Sequence, residues 1–312
     1  MCSFCCKKED TMQNKLGKKG LTIEGKQTLS AYLFLLPALV FFVVFVIIPI
    51  CIGVFTSFFD YTNRKFEFAG FDNYLRLFTD EYFLKSLKNT IVLVVVSVPI
   101  IVLLSLFISV ILYQRNAVVR SVFRGIYYLP VVTGTVAVTV VWKWLFDPYY
   151  GILNYTFEKL GLMDPQNPIV WLGDKRFALM AIIIILITTS VGQPIILYIA
   201  ALGNVDVSQV EAAKIDGATN WQVFKYVKWP GILPTTLYVV VITTINTFQC
   251  FSLIQLLTSG GPDKSTSTVM YLVYETAFKE YKYGYANAMG VILAIFIGIF
   301  SLIQFRAFRS KD

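Results

Sequence analysis

The 312-residue chain contains no histidine and only five cysteines. Histidine is the commonest general base and a frequent metal ligand, so its absence removes the usual start of a hydrolytic or metal-assisted mechanism. Cys51 and Cys250 fall inside apolar runs, where a free thiol serves as a small packing residue. Cys2, Cys5 and Cys6 cluster at one end but lack the fourth ligand that a structural zinc site needs. Met12 is a candidate alternative start, with residues 1–11 as a disordered leader. Charge is scarce too: 15% of residues are Asp, Glu, Lys or Arg, against about 25% in soluble domains. The segment 260-GGPDKST-266 offers glycines, a lysine and a Ser-Thr pair. Asp263 stands where a phosphate-binding loop requires glycine before the lysine, and the glycine spacing also fails. It reads as a tight turn. No nucleotide site, resident cofactor, metal site or catalytic residue is expected in this chain.

What the chain has is apolar length. Its composition is 56% hydrophobic, with mean hydropathy +0.66. A membrane-spanning helix needs about 20 predominantly apolar residues. Six stretches qualify: 29–59, 89–113, 125–146, 177–203, 231–257 and 285–305. Lys143, between Trp142 and Trp144, is the one charged residue in any of them. It sits near a span end, where a lysine can snorkel to the headgroups beside tryptophans. A β-barrel would instead show shorter alternating segments. The expected fold is an all-α polytopic membrane protein with six transmembrane helices. It has a polar tail over 1–28, a loop over 204–230 and a short tail over 306–312.

Lys and Arg accumulate on the cytoplasmic side. With both termini inside, the inner segments hold 15 of them and the outer segments 11. Arg115, Arg120 and Arg124 lie in a short inner loop without an acid. The formal net charge of +8 then faces anionic membrane lipid and calls for no nucleic acid.

One inner stretch, 208-SQVEAAKIDGATNWQ-222, is too carefully punctuated for a simple connection. Ser208 and Glu211 have capping-box spacing, which predicts a helix from about Gln209 to Asp216. Gly217 can take the left-handed conformation that stops it. Thr219 and Gln222 repeat the spacing and start a second helix with an apolar stripe of Trp221, Phe224 and Val227, ended by Pro230. Ala212 and Ala213 let another surface approach the backbone closely.

The order Glu211-Ala212-Ala213, three residues, Gly217, nine residues, then Val227-Lys228-Trp229-Pro230 resembles the EAA loop of ABC importer membrane subunits. The wider resemblance is to carbohydrate-uptake permeases, in particular the larger membrane subunit of maltose and glycerol-phosphate importers. It is carried by 71-FDNY-74, Asn89-Thr90, Leu129-Pro130, 142-WKWLF-146, 151-GILN-154, 215-IDGA-218, 256-LLTSGGP-262 and 274-YETAF-278. This resemblance implies a type I importer fold in the bacterial cytoplasmic membrane. It also implies a second, similar permease subunit, two separate ATPase subunits that bind ATP and Mg, and an extracellular solute-binding protein or lipoprotein. Coupling to the ATPases is then assigned to Glu211, Ala212, Ala213, Asp216, Gly217, Ala218, Phe224 and Pro230.

Polar groups inside a membrane protein face the bundle interior or a cavity. The fourth span offers Thr188, Gly192 and Gln193, loosened by Pro194. The fifth offers Thr243, Asn246 and Thr247 on one face, with Gln249 beyond. Such neutral hydroxyls and amides suit a sugar, whose hydroxyls donate and accept. The rival reading is an ion-coupled secondary transporter or channel. It would normally carry mid-membrane carboxylates or a clear inverted repeat, and neither is found.

Overall fold

A computed structural model describes residues 23–164 and 166–308. The Cys2–Cys6 cluster and most of the two tails lie outside the described residues. The chain divides into two compact units, 1–53 and 54–312.

The described part of the first unit is helical. Helix α1 (Ile23–Phe42) passes through a π-helical turn (Val43–Ile47) into α2 (Ile48–Thr56). Proline removes a helix donor. Here Pro49 follows the wide turn, in which Ile48 donates to the Val43 carbonyl five residues back. The turn carries the helix past the proline without a break.

The second unit opens with a hairpin of β1 (Phe59–Tyr61) and β2 (Phe66–Phe68), paired antiparallel, a small addition to an otherwise helical fold. Then come α3 (Asp72–Leu77) and α4 (Glu81–Tyr113). Next are α5 (Ala117–Thr133), α6 (Thr135–Leu145) and α7 (Ile152–Lys159). The chain continues through α8 (Ala178–Ser190) and α9 (Gly192–Gly203). After the loop helices α10 (Val207–Ile215) and α11 (Asn220–Val223) follow a π-turn (Phe224–Lys228) and α12 (Trp229–Phe248). The end is α13 (Ser252–Leu257), α14 (Val269–Tyr274), a third π-turn (Glu275–Lys279) and α15 (Tyr283–Phe308). Five helical stretches are long and apolar enough to cross a membrane. The pair α5 and α6, bent by 102°, makes a sixth.

Helix α4 is the spine of the second unit. Ser86, Ser97, Ser105 and Ser109 on it are fully buried, and such small residues let helices approach closely. Ser109 donates to its own helix at Ser105 (2.6 Å) and reaches the Ile195 carbonyl of α9 at 3.1 Å. Val94, Val98, Tyr198, Ile232, Val239 and Met289 join α4, α9, α12 and α15 in one core cluster.

Three asparagines explain three of the short sequence motifs. Each bridges two backbone carbonyls with its amide nitrogen. Asn73 binds Ser57 and Phe59, both at 2.9 Å. Asn89 binds Lys264 at 3.2 Å and Ser267 at 3.0 Å. Asn154 binds Pro148 and Ile169 at 2.9 Å and accepts from the Trp171 indole at 2.7 Å. These motifs lock connecting segments to the bundle. The turn after α13 is thereby pinned to the start of α4, aided by Thr90 accepting from the Val269 N–H.

Candidate functional site

Two features of the second unit stand out: a polar cavity between helices and an exposed, tightly capped loop. The cavity has a volume of about 330 Å³ and lies between α5, α6, α8, α9, α12 and α13. It exists because the third span is broken. Gly134 has φ +83° and ψ 150°, a combination essentially reserved for glycine. A non-helical backbone is tolerated at membrane depth only where it lines a cavity or is buried in protein, and Pro130, Gly134 and Thr135 all face this one. The apolar length of 125–146 predicts one unbroken span, although Pro130 and Gly134 lie inside it.

Gln193, Thr243, Asn246, Thr247 and Gln249 line the cavity wall, joined by Thr189, Ser190 and Ser252. Thr188 and Gly192 do not. Thr188 is exposed and donates to the Ile184 and Ile185 carbonyls of its own helix. Gly192 is a close-approach residue: a Cβ there would lie 2.1 Å from the Tyr127 carbonyl oxygen of α5.

Helix α12 separates a structural use of threonine from an available one. Thr236 and Thr244 donate to the carbonyls four residues back, at 3.1 and 2.8 Å. Thr243 and Thr247, 5% and 2% exposed, turn to the cavity and make no hydrogen bond within the described residues. The side chains of Asn246, Gln193 and Gln249 are free in the same sense. Buried polar groups are normally satisfied, so the two buried threonine hydroxyls await water or a solute, while Asn246, Gln193 and Gln249 are exposed at the cavity wall. Among the described residues that line the cavity, none is Asp, Glu, Lys or Arg.

The loop at the far end of α12 is built by capping. The first cap falls earlier than expected: α10 begins at Val207, and Asp206, not Ser208, accepts from the Ser208 N–H at 2.9 Å. A carboxylate is a strong acceptor and also favours the positive end of the helix dipole, which displaces the Ser208–Glu211 box. Gly217 has φ +78°. Around it Ala218 donates to Ala213 at 2.9 Å and Gly217 to Lys214 at 3.1 Å, the two bonds of a Schellman stop. The second capping box forms as expected, with the Thr219 N–H donating to Gln222 Oε1 at 2.7 Å and Thr219 accepting in return.

Pro230 does not end the second helix. A π-turn over Phe224–Lys228 precedes it, with Trp229 donating to the Phe224 carbonyl, and the helix runs unbroken from Asn220 to Phe248. The wider turn absorbs the donor that proline lacks. Loop and cavity wall are therefore one rod.

Glu211, Ala212, Asp216 and Gly217 are exposed, while Ala213 and Ala218 are half-buried. Phe224 stacks on Trp221 at 5.8 Å and lies 6.5 Å from Trp229. Ile215 is 86% exposed. An isolated aliphatic side chain presented on a capped helix suits a contact with another protein, and the capping pattern alone did not single it out.

A bundle of apolar spans around a neutral polar cavity defines a membrane permease. The chain belongs to the family of binding-protein-dependent transport system inner membrane components, matched over residues 81–310. It is thus a multi-pass component of the inner membrane from a transport family. It is 34% identical over 265 residues to a probable ABC transporter permease protein of Pyrococcus horikoshii, covering 84% of this chain and 90% of that protein. It is 32% identical to the lactose transport system permease protein of Rhizobium radiobacter (90% and 95% covered). It is 35% identical to the multiple sugar-binding transport system permease protein of Streptococcus mutans (88% and 93%). The fold is similar to a chain of a bacterial ABC transporter involved in import of the acidic polysaccharide alginate, with TM-score 0.76, 25% identity and coverage of 91% and 96%. A second structure of an alginate transporter, in complex with an alginate pentasaccharide-bound periplasmic protein, matches at the same TM-score with 26% identity.

Proposed function

We propose that this chain forms half of the translocation path of an ATP-driven importer for an uncharged saccharide. In that reading it works beside a second, similar permease subunit, above two ATPase subunits that bind ATP and Mg, and receives solute from an external binding protein or lipoprotein. The chain itself holds no nucleotide, and both termini and the 204–230 loop face the cytoplasm. The observation that carries the reading is the continuous helix Asn220–Phe248. Its start belongs to an exposed, capped loop of EAA pattern, and its other end bears free hydroxyl and amide groups on a cavity.

The mechanism follows from that geometry. ATP-driven closure of the ATPases displaces Glu211, Ala212, Ala213, Asp216, Gly217 and Ala218, with Phe224 as the joint and Pro230 inside the rod. Because the helix is continuous, the displacement moves Thr243, Asn246 and Thr247 against Gln193 and the broken third span. Sugar hydroxyls replace the missing partners of these groups and are released as the wall moves. Relatives whose names specify lactose or multiple sugars support a carbohydrate. The lack of Asp, Glu, Lys and Arg among the described lining residues favours a neutral one, since an unpaired charge is costly away from water.

The test is reconstitution of the four-subunit assembly and its binding protein in vesicles. Uptake of a neutral oligosaccharide that requires ATP supports the proposal. Uptake by this chain alone without ATP overturns it.

A further inference from the structure

Beside the loop lies a second groove, of about 780 Å³, unconnected with the solute cavity. One wall is the last third of α4, with Leu103, Leu106, Phe107 and Val110. The other is Trp221, Val223 and Phe224. Leu103, Phe107 and Trp221 are each about two-thirds exposed. From Leu103 to Gln114 the groove follows α4 for about 16 Å at 1.5 Å per residue. One leaflet's share of the hydrocarbon core is about 15 Å, so the groove has the length of a lipid acyl chain.

Its rim is basic. Lys214 and Lys228 both line it. Lys228 Nζ lies 5.5 Å from the centre of the Tyr113 ring, and the Arg120 guanidinium 5.7 Å from the same ring. None of the three takes part in the ion pairs formed among the described residues. Lys214 and Lys228 at the groove, with Arg120 on the Tyr113 ring that Lys228 also meets, have no carboxylate partner among the described residues and call for an external anion. A long apolar channel that ends in such a cluster matches one ligand in both chemistry and length.

We propose that the groove holds an anionic phospholipid of the inner leaflet, with an acyl chain along Leu103 and Phe107 and its phosphodiester between Lys214, Lys228 and Arg120. This inference rests on the reading above for the side of the membrane that the loop faces. Bound there, the lipid braces the loop helices against α4 and ties the lever to the surface charge of the membrane.

The experiment uses the assembled transporter in nanodiscs of phosphatidylcholine doped with phosphatidylglycerol. Lipids retained after release into detergent are counted by native mass spectrometry. Wild type is expected to retain phosphatidylglycerol in preference to phosphatidylcholine. A basic residue near an anionic surface is worth roughly a fivefold change in affinity, so Lys214→Gln with Lys228→Gln should lower the preference about 25-fold. Arg120→Gln, away from the loop, should lower it about fivefold and guards against misfolding of the double variant. Equal retention of the two lipids by wild type, or an undiminished preference in both variants, overturns the proposal. So does finding the groove filled by the second permease subunit. ATP-dependent uptake with no lipid preference would refute this site and leave the importer reading standing.

Discussion

Trp229 donates its backbone N–H to the Phe224 carbonyl five residues back, and that bond joins the loop to the membrane span. A proline at position 230 should interrupt the helix. The π-turn instead lets Asn220–Phe248 run as one continuous helix, so under the proposed mechanism a push at the loop is carried toward Thr243 and Thr247.

Softening that joint should uncouple the machine. Lys225 and Tyr226 are exposed within the π-turn. Replacing both with glycine costs about 2 kcal/mol of helix stability relative to alanine. The glycine pair is expected to leave ATP hydrolysis in the assembled complex unresponsive to loaded binding protein. The alanine pair should keep the response. Equal stimulation in both would mean that the helix is not the transmitting element.

The free and the bonded threonines should differ in transport. Each hydrogen bond to solute is worth about 1 kcal/mol, so Thr243→Ala and Thr247→Ala are each expected to raise the uptake KM about fivefold. Thr188→Ala should change it less than twofold, because that hydroxyl already bonds its own helix outside the cavity. KM values from sugar uptake at matched protein levels decide this.

Gly192→Ala should lower stability rather than specificity. Its Cβ would press on the Tyr127 carbonyl, and such overpacking costs about 1–3 kcal/mol. Thermal unfolding in detergent should show a lower midpoint. Gly125→Ala is the control, because a Cβ there meets nothing within 4 Å.

Transport should be nearly independent of pH between 5 and 8. The chain has no histidine, and the described lining residues carry no carboxylate or amine. No group at the cavity then changes charge in that range. Initial uptake rates at fixed ATP test this. A steep dependence that survives correction for ATPase activity would point to proton coupling.

Much of this was legible in the sequence, for stated reasons. Long apolar runs revealed the spans because the bilayer imposes a minimum length. Gly217 and the Thr219–Gln222 box were readable because capping depends on residues three or four apart. The helix through Pro230 was not, because whether a proline breaks a helix depends on the hydrogen-bond pattern of the preceding turn. The break at Gly134 was not predicted, because a glycine within an apolar run is also compatible with an unbroken helix, as Gly125 in α5 shows. The roles of Asn73, Asn89 and Asn154 emerged only with the fold, since each clamps carbonyls distant in sequence. The cavity was partly legible. Polar residues in the spans were found, but Thr188 and Thr243 could be told apart only by where their hydroxyls point.

The most direct test is the location of the loop in the assembled transporter. Ala212→Cys should resist a membrane-impermeant maleimide added outside intact cells and should cross-link to a cysteine in the ATPase subunit, with a yield that changes when ATP is bound. Labelling from outside, or no cross-link to the ATPase in any nucleotide state, would contradict the account.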